Sequence, residues 1–303
     1  MEQWPDLAYE RWRPTRDTLH MYAQVVGKLR LALSPFEPQW ANVPLYLTAR
    51  GLTTTPLPAG PGTFDAELDF FDHVLVLRTS GGAAASVPLG GPVADFYRAV
   101  MDALAGLDVP VAVSEVPSEV PDPIPFPFDR EHHTYEGAEA RRFFHVLSSV
   151  DVVMKRHRAG FRGKTSPVSF FWGSFDLACT RYSGRPATPP PGAGRIIRYS
   201  EDAEQVCAGF WPGDPRTPFP AFFAYAYPRP DGIEAAQVRP DGAAWVEEAG
   251  LFVLPYDTVR AAPDPAAALL EFLASTYDAG AALLGWSSDL VAAEEPPEAT
   301  AAQ

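Results

Sequence analysis

At 303 residues the chain is about twice the usual domain-sized unit, and with 47% hydrophobic and 20% charged residues it can bury a sizeable core. A net charge of −14 excludes a general nucleic-acid binder, whose affinity comes mainly from neutralising phosphates. No apolar run approaches the roughly 20 residues that span a bilayer, which excludes a transmembrane helix.

The polar stretch from Met1 to Arg16 lacks the pattern of a secretory signal, and Cys179 and Cys207 frame neither a disulfide scaffold nor a metal knuckle. A cytoplasmic protein without a membrane partner is the expectation. Proline, 33 residues in all, points to many loops and strand edges rather than a helical bundle.

The first helix is expected from about Thr15 to Leu33, with Thr15 as its N-cap and Leu19, Tyr22, Val26, Leu29 and Leu33 on one apolar face. Its other side carries His20, Gln24, Gly27 and Leu31, too uncharged for a solvent face. That helix should therefore be covered on more than one side. From Val43 the period changes to two, giving candidate strands Val43–Ala49, Phe64–Phe71, His73–Thr79 and Ala84–Leu89. In the second of these Asp65, Glu67 and Asp69 alternate with apolar residues and read as a solvated acidic face. A helix over Pro92–Leu107 and a strand over Val109–Ser114 complete the first half.

Residues 115–134 form a stiff Pro-rich connector with Pro at 117, 121, 123, 125 and 127. A second long helix is expected over about Tyr135–Phe161. Strands follow at Val168–Thr180, Ala221–Tyr227, Ala243–Glu247 and Leu251–Leu254, with a closing helix at Pro265–Leu284. The stretch 185–220 is long enough to be a functional loop, and Gly209-Phe210-Trp211-Pro212-Gly213 has the form of an aromatic lid between glycine hinges. Residues 288–303, acidic and Ala-rich, read as a disordered tail.

The two halves, 1–114 and 135–287, share an order of elements: long helix, antiparallel strands, helix. At an offset of 132, Ser34, Pro35, Trp40, Leu45, Thr48, Pro58, Gly60 and Gly62 match Ser166, Pro167, Trp172, Leu177, Thr180, Pro190, Gly192 and Gly194. The fold class is therefore α+β, with two related halves, each an antiparallel sheet covered by helices, about a pseudo-twofold axis. A pocket is expected between the halves.

The strings Trp4-Pro5-Asp6-Leu7, Asp17-Thr18-Leu19-His20, Pro44 to Thr54 and Phe170 to Ala178, with Phe70-Phe71-Asp72-His73 and Gly209 to Gly213, resemble an uncharacterised bacterial family. It is catalogued as a domain of unknown function, number five-nine-nine-six. The resemblance covers nearly the whole chain apart from its C-terminal tail and implies a soluble bacterial protein, with no activity to transfer. It also implies a His where this chain has Ser169, which argues against that side chain as an obligatory ligand or base.

The chemistry is read from the residues themselves. His20, Gln24 and Lys28, four apart on one helix, present a base, an amide and a cation in a column, and His20 is the leading acid–base candidate. Asp72 and His73 share a tight turn and form a second catalytic candidate. Five cations between Lys155 and Lys164 stand out in so acidic a chain. With Arg50 and Arg181 near strand ends, Lys164 suggests an anion site, because guanidinium and ammonium groups suit carboxylate or phosphate. Trp40 and Trp172 are the candidate walls.

Gly173-Ser174-Phe175-Asp176 places Ser and Asp on one strand face without an identifiable His for a triad. Neither a Gly-rich Walker loop nor a dinucleotide fingerprint is present, Glu131-His132-His133 lacks the usual zinc spacing, and the cofactor is left unknown. These residues point to an enzyme or ligand-binding protein for a small anionic metabolite. A non-catalytic interaction module using the connector, and a metalloenzyme built on His20, His73 and Asp72, are the alternatives.

Overall fold

Alternating and helical periods translate into six helices and two antiparallel sheets in a computed structural model that describes residues 3–291. Helix α1 (Tyr9–Leu33) leads to a short hairpin of β1 (Tyr46–Leu47) and β2 (Gly51–Thr53). Then come β3 (Leu57–Ala59), β4 (Gly62–Asp69), β5 (Val74–Thr79), β6 (Ala84–Pro88) and α2 (Val93–Gly106). After the connector, α3 (Gly137–Ala159) leads to β7 (Ser169–Phe171), β8 (Asp176–Pro186), α4 (Arg195–Ser200), β9 (Ala203–Trp211) and β10 (Ala221–Tyr227). The chain continues through β11 (Ala244–Val246), β12 (Leu251–Pro255), α5 (Tyr256–Arg260) and α6 (Pro265–Leu283).

Sequential antiparallel pairing gives the first sheet the order β1-β2-β4-β5-β6, with β3 alongside β4, and the second the order β11-β12-β10-β9-β8-β7. The sheets meet where Leu45 pairs with Phe170, each backbone N–H donating to the other's carbonyl at 2.9 and 2.8 Å. Strand β1 therefore lies beside β7, its counterpart as the strand that follows the long helix of its own half. The 132-residue offset instead matched Leu45 with Leu177, which belongs to β8. Trp40 and Trp172 accordingly occupy unlike places: Trp40 ends a 3-10 turn, whereas Trp172 follows β7.

Helix α1 is buried along most of its length because it lies within the protein, as its uncharged second side implied. Leu19, Tyr22, Val26 and Leu29 are fully buried, and so is Gln24 on the opposite side. One continuous apolar cluster runs from Leu68 and Leu77 of the first sheet through Val26 and Phe143 to Phe210 and Phe222 of the second. Burial on this scale, about 25 cal/mol per Å² of apolar surface, is the main stabilising term.

Several local expectations are corrected. Helix α1 begins at Tyr9 and carries Pro14 within it; the Thr15 hydroxyl instead accepts from the Glu136 N–H at 2.9 Å, at the start of α3. Val109–Ser114 forms no strand. Glu67 and Asp69 are buried, because Arg78 and Arg50 lie across the acidic side of β4 and pair with them. The proposed lid is a strand: Ala203–Trp211 is β9, paired on both edges. Its Gly209 is required for close approach, since a Cβ there would meet the Leu177 carbonyl and the Phe223 ring at 2.5 Å. Residues 288–290 form a 3-10 turn and Val291 pairs with Phe161, while the rest of the expected tail, 292–303, lies outside the described residues.

Candidate functional site

Alternation along the second sheet sends Leu177, Phe210 and Phe222 into the core on the side of α3 and α6 and turns the other face toward a cavity. That second face, with Asp176, Ala178, Thr180 and Tyr182 of β8, Gln205 and Cys207 of β9 and Tyr225 of β10, lines a cavity of about 1250 Å³. Arg16, Asp17 and His20 of α1 and Ser118–Pro121 of the connector close one side; Trp40, Lys164 and Arg195 stand on another. The lining is mostly apolar surface interrupted by hydroxyl, amide and carboxyl groups, so it can hold a ligand by apolar contact and orient it by hydrogen bonds.

The turn between β7 and β8 carries the most distinctive chemistry. Asp176 is 8% exposed, and the Ser174 hydroxyl donates to its carboxylate. Burial pushes the Asp176 carboxyl up to about 7; the Ser174 hydrogen bond opposes that rise and the nearby Glu119 charge adds to it. Glu119 reaches the same turn from the connector, with its backbone in the left-handed region at φ 61°. Its Oε1 lies 2.5 Å from where a Cβ on Gly173 would sit, so the absent side chain of Gly173 makes room for the carboxylate. Although Glu119 is exposed to the cavity, loss of water around its carboxyl raises it above the usual carboxylate value.

His20 stands beside this turn without being a free base. Its Nε2 is 3.0 Å from both the Trp172 and Gly173 carbonyl oxygens, which assigns that nitrogen as a donor. Burial, reinforced by the Arg16 charge, lowers the imidazole to about 3 and keeps it neutral. Gln24 Nε2 donates to the Ser118 carbonyl at 2.7 Å and its Oε1 accepts from the Ser118 N–H at 3.0 Å. Lys28 donates to the Ser118 hydroxyl at 3.0 Å and lies 5.7 Å from the centre of the Trp172 ring. The expected base–amide–cation column thus exists, but all three members fasten the connector and the β7–β8 turn to α1.

Arg16, which sequence reading passed over, is 7% exposed and lines the cavity. It pairs with Asp17 at 2.9 Å and lies 5.5 Å from the Phe175 ring centre, while its Nε has no acceptor among the described residues. Lys164 is at the rim, donating to Gln39 Oε1 at 2.6 Å above the Tyr182 ring. Trp40, also at the rim, donates to the Ile196 carbonyl at 2.9 Å, and Trp172 donates to the Val43 carbonyl at 2.8 Å.

The other expected site residues are placed elsewhere. Arg50 pairs with Asp69 and, at 2.8 Å, with Asp72 beside the β4–β5 turn. His73 shares a 3.0 Å hydrogen bond with the Tyr135 hydroxyl, and neither Asp72 nor His73 lines the cavity. Arg181 alternates to the helix-covered face of β8, where it donates to the His157 carbonyl and lies 4.3 Å from the Tyr277 ring centre. The cations at the end of α3 also diverge: Lys155 pairs with Asp151 at 2.6 Å, and Arg158 donates to the Ser166 carbonyl at 2.8 Å. Among the described residues no group of three or more His, Cys, Asp or Glu side chains is placed to hold a metal ion.

The fold and cavity define an α+β protein whose two antiparallel sheets share one core. The chain belongs to the family of unknown function DUF5996, whose model matches residues 4–293. Comparisons with curated proteins and with solved structures gave no match. No helix among the described residues is long and apolar enough to cross a membrane.

Proposed function

We propose that this protein binds a small anionic molecule in the cavity and acts on it by proton transfer through Asp176. Arg16 carries this reading: its nearly buried guanidinium lines the cavity wall and has one carboxylate partner, Asp17. Such a group is costly to desolvate and is well suited to an incoming carboxylate or phosphate. Lys164 at the rim adds a second positive charge along the path of entry.

Asp176 supplies the chemistry. A carboxyl that titrates near 7 can give up or take a proton at neutral pH, and Ser174 fixes its orientation. Trp172 holds the turn that carries both residues, while Trp40 forms part of the outer wall. His20 has a positioning role. A cytoplasmic setting accords with Cys179 and Cys207, both buried as free thiols.

Native mass spectrometry of the protein purified from its own host reads a retained ligand directly. A thermal-shift screen of carboxylates and phosphates then tests the assignment. At least one anion should raise the melting temperature of the wild type, and Arg16→Met should lose most of that shift. A full shift in Arg16→Met, or no stabilising anion at all, overturns the reading.

A further inference from the structure

The cavity that offers Arg16 to an anion also holds two carboxyl groups with no positive partner. Asp176 comes from β8 and Glu119 from the Pro-rich connector, and both line the cavity at the β7–β8 turn, Glu119 against Gly173 and Asp176 held by Ser174. Among the described residues neither forms an ion pair. Lys28, on the adjoining face of α1, is already engaged with Ser118 and the Trp172 ring.

We propose that the ligand carries a primary ammonium group, seated between Asp176 and Glu119, so that the cavity takes an amine-bearing anion. This deepens the reading given above and rests on it. Two carboxylates facing one walled space repel each other, and each loses water on burial. A ligand ammonium removes both costs, and its three N–H donors can reach one oxygen of Asp176, one of Glu119 and the Ser174 hydroxyl. Arg16 then receives the acidic group of the same molecule.

A hard divalent ion fits less well. Two carboxyls and one hydroxyl fall short of the 6–8 oxygen ligands that calcium takes.

The test is a carboxyl-detected NMR titration of the full-length protein with ¹³C-labelled Asp and Glu. Ethanolamine is the amine probe; tetramethylammonium and calcium chloride at matched ionic strength are the controls. Ethanolamine should lower the titration midpoints of Asp176 and Glu119 by at least half a pH unit, an approximate threshold set by ion-pair effects on carboxyls. Tetramethylammonium, which has no N–H donor, should leave them in place. The Glu119→Gln variant, its folding checked by melting temperature, should lose most of the ethanolamine effect on Asp176.

An equal response to tetramethylammonium, a stronger response to calcium, or no response to ethanolamine overturns the proposal. Inorganic phosphate, read at the ¹⁵N signal of Arg16 Nε, separates the two readings. Phosphate binding without an ethanolamine effect removes the ammonium seat and leaves the anion site. Absence of both responses removes both.

Discussion

The indole of Trp172 lies against the backbone of Gly27, so closely that a Cβ on Gly27 would overlap the ring. The same indole donates to the Val43 carbonyl and forms one wall of the cavity. Gly27 thus sets the approach of α1 to the β7–β8 turn. Gly27→Ala should destabilise the protein by about 1–3 kcal/mol, the usual cost of overpacking a well-filled core. Urea unfolding reads the loss. Wild-type stability in Gly27→Ala would show that the indole moves freely and does not fix the turn.

Asp176 should make stability fall as pH rises. Its folded value, about 7, lies above the ordinary aspartate value of 3.8, so between these values the native state binds more protons than the unfolded chain. Over that window its contribution declines by up to about 1.4 kcal/mol per pH unit and is fully unfavourable above about 7. Asp176→Asn removes the ionisable group and keeps an acceptor for Ser174. The variant should therefore unfold at higher urea than the wild type at pH 8, with the gap closing toward pH 4. A constant gap across that range would contradict the assignment.

His20 and His157 act in the opposite direction. Burial lowers both to about 3, from the ordinary histidine value of 6.5, so below 6.5 the unfolded state binds more protons than the native state. Their contribution is present above about 6.5 and is lost as pH falls toward about 3. His157→Phe should flatten the acid limb of the stability profile while leaving the alkaline side of the Asp176 effect intact. Urea midpoints collected from pH 4 to pH 8 separate the two groups by the sign of their slopes.

Arg50 and Arg181 separate what sequence can and cannot convey. Their residue type suggested contacts to an anionic ligand, but the partners they have are internal. Arg50 meets Asp69 and Asp72, and Arg181 meets the carbonyl end of α3. Which face of a strand an arginine takes depends on register, and a one-residue shift reverses it. Helix α1, β5, β10 and α6 were legible because their apolar spacing is regular. Strand β9 was obscured by Gly209, a close-approach position that reads like a hinge.

The cavity was harder to find than the fold. Glu119 sits in a proline-rich stretch with no periodic signal, and only the tertiary path of the connector brings it over Gly173. Asp176 was visible beside Ser174, but no local spacing links it to Glu119. The sequence did convey that His20, Gln24 and Lys28 share a helix face; it could not show that their polar atoms were already committed.

Arg181→Met should lower stability and leave anion binding in the cavity unchanged. The side chain lies 5.1 Å from the Phe161 ring centre and 4.3 Å from that of Tyr277, and it donates to the His157 carbonyl. Methionine retains much of the apolar contact but loses the hydrogen bond to that carbonyl, which still accepts from the Gly160 N–H at 3.3 Å, so a loss of about 1 kcal/mol is expected. Equal thermal shifts with a stabilising anion in wild type and variant, on a lower baseline, are the expected result. Loss of the shift in a folded Arg181→Met protein would place this residue in the binding machinery after all.

Gly173→Ala offers the most selective change at the candidate site. The added methyl group would displace the Glu119 carboxylate, the far end of a flexible side chain, while the turn's own backbone is not required to move. Gly173 has no positive φ, so alanine adds no left-handed strain. The fold should therefore persist, with melting within about 2 °C of wild type, as for substitutions that meet no rigid obstacle. With Glu119 pushed away, the Asp176 carboxyl loses a like charge and its titration midpoint should fall below about 7. Carboxyl NMR reads that midpoint directly. A folded Gly173→Ala protein with an unchanged Asp176 midpoint would mean that the two acids are not electrostatically coupled, and the seat assigned to the ligand's ammonium would lose one of its two walls.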